Sequence, residues 1–201
     1  MLFACLILLL TLLLWLGLSS VKPAGTGADD AAVGATVWNN PGNITADDSS
    51  YADAGDAFTD QTVISLVVEG SVSGDNKSTG AALPTSETTT SFGGVSDLWG
   101  NTLTVAKVNA SDFGVVVSIT GLFGQTHYLK GTNFGFAIPA GATIDGVVFD
   151  VKWYQDQGAF VTNANFFQLT VYYTEAAGGK GMVFNTGSTM KGLTLSGRTI
   201  A

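Results

Sequence analysis

The chain has 201 residues, of which only 12% are charged, and sixteen acidic against eight basic residues leave a net charge of −8. That balance repels a phosphate backbone and argues against nucleic acid as a partner. The length holds one ordinary domain beside a membrane-directed segment and a tail, and a domain of about 150 residues buries about 68–70% of its unfolded surface without a metal or disulfide.

The run Leu2 to Leu18 is apolar except for Thr11 and Gly17. It is longer than a usual signal core and barely long enough to span a bilayer. Residues 1–19 are therefore expected to form an N-terminal hydrophobic helix acting as a signal peptide or membrane anchor, with membrane contact confined to residues 2–18. Small residues at Gly17 and Ser19, or at Gly25 and Gly27, offer a peptidase its spacing. No Lys or Arg precedes the run, whereas Lys22 follows it. Cys5, the sole cysteine, falls inside this segment, so the domain has no internal disulfide. Residues 20–34, rich in Gly, Ala and Asp without a hydrophobic period, read as a linker.

From Ala35 onward, alternation at period two replaces any helical recurrence. The segment Thr62 to Glu69 is nearly continuous Val, Ile and Leu, as expected for a strand covered on both faces. In Phe113 to Thr120 the inward set is Val115, Val117 and Ile119, and in Val147 to Tyr154 it is Val147, Phe149, Val151 and Trp153. Phe167 to Tyr173 repeats the pattern. Turn signals at Asn40-Pro41-Gly42, Ser73-Gly74-Asp75-Asn76, Phe92-Gly93-Gly94, Ala140-Gly141 and Gln157-Gly158 separate the strands. Strands joined this way must close on one another to hide their apolar faces. The expected fold is all-β, a two-sheet antiparallel β-sandwich of jelly-roll type over residues 35–175. Residues 176–201 read as a flexible C-terminal tail with short apolar pieces at Met182 to Phe184 and Leu193 to Leu195.

Three segments carry a family resemblance: Trp38-Asn39-Asn40-Pro41-Gly42 running to Asp47-Asp48 and Tyr51, the Gly93 to Gly100 segment with Asp97-Leu98-Trp99-Gly100, and Phe134-Gly135-Phe136-Ala137-Ile138-Pro139. Over roughly residues 36 to 174 the chain resembles an uncharacterised β-sandwich module of phage-associated, virion and bacterial-surface proteins. The order of the motifs is permuted, since the Phe-Gly-Phe segment follows the other two here. The resemblance implies a virion or surface role and carries no catalytic residue.

The side chains give little purchase for catalysis. His127, between Thr126 and Tyr128, is the only histidine and so the only imidazole base a Ser–His–Asp or Cys–His arrangement could use, and one histidine cannot build a His-rich metal site. No Gly-x-Ser-x-Gly elbow or phosphate loop occurs, and Ser188-Thr189-Met190-Lys191 lacks the companion motifs of an acyl-enzyme site. The expectation is a protein that is not an enzyme and needs no cofactor. Calcium is the one ion the sequence suggests, through Asp47, Asp48, Asp53 and Asp56 as oxygen ligands, although their spacing does not fit a twelve-residue calcium loop. Solvated turns are the plainer reading of the same carboxylates.

Aromatic side chains beside amides and carboxylates suggest flat sugar recognition, because a ring covers C–H groups while neighbouring polar atoms bond hydroxyls. Trp99 with Asp97 and Asn101, Trp38 with Asn39 and Asn40, and Tyr154 with Gln155 are the candidates; large aromatics fill sandwich cores more often than they line binding faces. Two readings follow: a non-enzymatic structural or adhesion module of a virion or cell surface, or a secreted carbohydrate-binding module assisted by calcium. Both place the protein outside the cell, on its surface or on a virion. Partners would be further copies of the chain, other surface or virion proteins, or glycans.

Overall fold

The computed structural model describes residues 17–55, 58–121 and 124–176. The strands are β1 Leu18–Pro23, β2 Thr26–Asp30, β3 Ala52–Gly55, β4 Phe58–Val68, β5 Ser71–Ser73, β6 Thr88–Gly94, β7 Gly114–Gly121, β8 Gly124–Gln125, β9 Tyr128–Thr132, β10 Thr143–Asp156 and β11 Val161–Thr174. Among the described residues, helix is confined to a 3-10 turn, Pro41–Ile44, and one α-turn, α1, Val105–Val108. None of it is long or apolar enough to cross a membrane.

Two antiparallel sheets form a β-sandwich. The first runs β1-β11-β10-β6, with β3 also pairing β11; the second runs β2-β9-β7-β4-β5, with β8 pairing β7. Between them lie the inward sets read from the sequence. Val147, Phe149, Val151 and Trp153 of β10, and Phe167, Leu169 and Val171 of β11, are fully buried. They face Val115, Val117 and Ile119 of β7 and Ile64 and Leu66 of β4. Phe149 and Phe167 meet edge to face at 5.0 Å between ring centroids, an arrangement that adds about 0.5–1.5 kcal/mol beyond simple burial. Inward Trp153 satisfies its indole N–H on Thr90 Oγ1 at 2.8 Å. β4 is covered on both faces as expected, since its outward Val67 joins Val116 and Tyr128 in a smaller cluster roofed by Val33.

The segment read as a linker is structural. Within residues 20–34 the chain forms most of β1 and all of β2, and Leu18 and Ser19, assigned above to the anchor, already pair with Tyr173 and Tyr172. It crosses between sheets where Ala24 N–H donates to Phe167 O and Gly25 N–H to Thr132 O, both at 3.0 Å. Hydrophobic periodicity misses such strands because edge pairing is made by backbone groups, which leave no mark on side-chain pattern. Gly27 also has a steric reason: a Cβ there would stand 1.9 Å from Pro41 O. The sandwich thus begins well before Ala35. A second correction concerns Phe92-Gly93-Gly94, which ends β6 instead of forming a turn. Gly93 has φ +84, and a Cβ would press on Val147 O and the Trp99 indole nitrogen, so glycine marks close packing there. The expected N-terminal helix over residues 1–16 and the tail over 177–201 lie outside the described residues, as does Asp56.

Candidate functional site

Trp99, the leading sugar-binding candidate, is buried. It is wholly covered, with its indole N–H donating to Val147 O at 2.9 Å. Its backbone is left-handed, at φ +56, a conformation that costs a non-glycine residue about 1–2 kcal/mol. Surrounding bonds hold it there: Asp97 Oδ1 accepts from Trp99 N–H at 2.8 Å, and Trp99 O accepts from Asp75 N–H at 2.8 Å and from Asn101 Nδ2 at 3.1 Å. Asn101 Oδ1 takes the Ser73 hydroxyl. Lys77 closes the knot, with its ammonium 2.9 Å from Asp97, 3.2 Å from Asp75 and 5.8 Å from the Trp99 ring centroid. Burial alone would raise the Asp97 pKa, but the Lys77 ammonium and the Trp99 N–H outweigh it and hold the carboxyl below the ordinary carboxylate value. All three residues of this candidate therefore serve to fasten the turn around Trp99.

Trp38 is likewise core, 1% exposed, with its indole N–H on His127 O at 3.0 Å and its backbone N–H on Asp29 Oδ1 at 2.8 Å. The other Asp29 oxygen lies 2.8 Å from His127 Nδ1. The lone histidine thus shares the Asp29 carboxylate with Trp38 N–H, a contact that pins β2 to the Trp38 segment. Asp29 is a member of this group that sequence reasoning missed, because it lay inside the supposed linker.

Of the proposed calcium ligands, the described Asp47, Asp48 and Asp53 do not gather. Asp48 Oδ1 caps Ser50 N–H at 2.9 Å, Asp53 accepts from Asn39 Nδ2 at 3.0 Å and Asn40 Nδ2 at 3.4 Å, and Asp47 bonds to Lys152 and Asn165. Among the described residues no three His, Cys, Asp or Glu side chains are placed to share a metal.

Two of these acids, with Asn39 and Tyr154, do converge on another feature: the outward face of the first sheet near the β10-β11 turn. Tyr154 points away from the core because its neighbours Trp153 and Gln155 point into it. Across the strands it stands opposite Asn163, which stands opposite Asp53, and Asp53 is bridged by Asn39. Tyr51 meets the Tyr154 ring edge on, with centroids 5.5 Å apart. Desolvation, then the neighbouring Tyr51, Asp156 and Glu87, raises the Tyr154 pKa, so its hydroxyl stays protonated and able to donate.

One row along, the register of β10 and β11 slips, Lys152 facing Phe166 and Trp153 facing Ala164, which leaves Asn165 as the extra residue of a β-bulge. The bulge turns Asn165 toward two carboxylates: its Nδ2 donates to Glu87 Oε1 at 2.9 Å and to Asp47 Oδ1 at 3.2 Å. Lys152 sits between the same pair, 2.7 Å from Asp47 and 3.5 Å from Glu87. The Asp47 hydrogen bond, with smaller help from Glu87, raises the Lys152 pKa against a desolvation that would lower it. Asn165 Oδ1, though buried, has no partner among the described residues. Glu87, Lys152, Asn165 and Tyr51 were missed by sequence reasoning; the signal that was available is the outward alternation of Lys152 and Tyr154 beside inward Val151 and Trp153.

This face offers one protonated phenol, a second phenol ring, several amides and an acid-base pair, a set suited to hydrogen-bonding a polyhydroxylated ligand and to stacking on its C–H groups. No family model matches the chain, and no curated protein or solved structure is significantly similar to it.

Proposed function

We propose that the chain is a non-enzymatic structural or adhesion module of a virion or cell surface, held at one pole and presenting the other. The polarity of the first sheet carries this reading. Leu18 stands opposite Tyr173 and Thr143 opposite Thr174, so the chain enters and leaves the sandwich at one pole. Tyr154, Asn163 and Asp53 lie toward the other, where β10 turns into β11. Strands of fourteen residues separate the poles by about 45 Å. At the far tip Asp156 Oδ1 locks the turn through Gly158 and Ala159 N–H groups, and Phe160 is left 60% exposed. With the apolar run ahead of Leu18 as a signal peptide or anchor, this geometry suits a protein tethered to an outer surface. The resemblance of the Trp38, Asp97 and Phe134 segments to surface and virion modules supports the same role.

The order in which the chain visits the sheets supports a jelly-roll type. β1, β3 and β6 belong to the first sheet and β2, β4, β5 and β7 to the second, with the last strand beside the first. The β7-β9 and β10-β11 hairpins would then each add a strand to that plan.

Antibody against the Gln157–Phe160 tip tests the surface role. It should label intact virions or cells carrying the protein, while antibody against the β1 pole should not. Labelling only after the particles or cells are broken open would overturn the reading.

The Tyr51 and Tyr154 face favours carbohydrate binding as a second reading, by the amides and carboxyls that ring it. On a glycan array, Tyr154→Ala should abolish binding and a chelator should leave it unchanged. Turnover of a polysaccharide by the purified chain would overturn both readings.

A further inference from the structure

At the pole where the chain enters and leaves, a groove of about 940 Å³ opens beside the ends of β1, β6 and β11. Its wall holds Leu18, Val95, Leu98 and Tyr173, and its rim carries Asp145 and Glu175 without a Lys or Arg. Leu18 at 42% and Val95 at 60% are among the most exposed large apolar side chains of the described residues. Leu98 and Tyr173 pack on the main core, so the groove floor is continuous with the interior. Such a surface is apolar within and negative at its edge.

The chain carries a segment of the opposite character. Residues 177–201 hold Lys180, Lys191 and Arg198, three of the eight basic residues, and none of the sixteen acidic ones. They also hold two short apolar runs, Met182-Val183-Phe184 and Leu193-Thr194-Leu195. Residues 17–176 thus carry five basic and sixteen acidic side chains, a charge of −11. Glu175, on the groove rim, lies five residues before Lys180 and seven before Met182. Seven residues reach at most about 25 Å, and so short a tether raises the effective concentration of the attached segment to the millimolar range. The other apolar stretch, residues 2–16, has no charge to meet the two carboxylates.

We infer that the groove is the docking slot for this chain's own C-terminal segment, with Met182 to Phe184 against Leu18, Val95 and Leu98 and Lys180 beside Asp145 and Glu175. The apolar run supplies the affinity and the charges set the direction in which the segment lies. The inference does not depend on what the far pole binds.

Disulfide trapping in the full chain tests it. In a Cys5→Ser background, Val95→Cys is combined with Val183→Cys in one variant and with Phe184→Cys in another, so that either face of the segment can meet the groove. Under mild oxidation at least one pair should close within a monomer, read by mass spectrometry and non-reducing electrophoresis. Adding Lys180→Glu should slow closure about threefold, as for loss of an exposed ion pair, and Glu175→Lys on top should restore it. Failure of both pairs to close, or closure only between molecules, would overturn the inference. So would Val95→Cys closing onto native Cys5 in the otherwise unaltered chain, which would make the N-terminal segment the occupant.

Discussion

The Trp99 loop and the Tyr154 face are built from the same materials, an aromatic ring among Asp, Asn and Lys side chains, and they end in opposite places. Around Trp99 the polar atoms turn toward the protein: Asp97, Asp75 and Asn101 bond its own backbone and Lys77 covers its ring. Around Tyr154 the strand's alternation sends the ring outward, and the amides and carboxyls beside it bond one another along the sheet surface. A local composition of aromatic plus amide therefore does not define a binding face. The acceptor waiting across the fold decides, and for Trp99 it is Val147 O, 48 positions away.

The sharpest way to break this comparison is to truncate each ring. Trp99→Ala should cost about 3–5 kcal/mol, the range for emptying a fully buried aromatic site, seen as a lower urea midpoint; a loss below 1 kcal/mol would show that the ring is not core. Next in size, Asp29→Ala strips the acceptor from Trp38 N–H and from His127 Nδ1. It should cost about 1–3 kcal/mol by leaving part-buried donors unpaired, measured by thermal unfolding at neutral pH.

Smaller effects come from titration of the Trp99 knot. The Asp97 pKa is depressed in the folded chain from its ordinary 3.8. Its contribution is therefore present above that value and is lost as pH falls through the lower, folded-state pKa. Lys77, whose strongest interaction is the hydrogen bond to Asp97, has a raised pKa, so its share holds below 10.5 and fades as pH climbs through the folded-state pKa. Asp97→Asn should flatten the acid limb of a stability profile below about pH 4; an unchanged acid limb would separate Asp97 from the knot. The smallest change in stability belongs to Tyr154→Ala, about 1 kcal/mol from the lost ring contact with Tyr51. A drop as large as that of Trp99→Ala would make the outward ring structural and end the contrast.

How much was legible in the sequence follows from what each element relies on. β10 and β11 declare themselves because Phe149 and Leu169 must hide while neighbours such as Asp150 and Gln168 need not. β1 and β2 stay silent, since their pairing is written in backbone groups and their one glycine, Gly27, serves close contact against Pro41. Tyr154 was readable as an outward residue from the inward Trp153 beside it. The Asp47, Glu87, Lys152 and Asn165 group was not, because its members come from four separate segments and the bulge at Asn165 breaks the count that would have aimed it. Trp99 misled for a related reason, as nothing local reveals its left-handed backbone or its distant acceptor.

The first and last described strands lie side by side, Leu18 against Tyr173. A sandwich whose first and last strands are neighbours can be joined there and opened in another loop while every strand pair survives, or be spliced whole into the loop of a host protein. Motif order along such a chain is then free to rotate from one relative to the next without disturbing the architecture, which makes three-dimensional adjacency, and not linear order, the feature by which relatives of this domain should be sought.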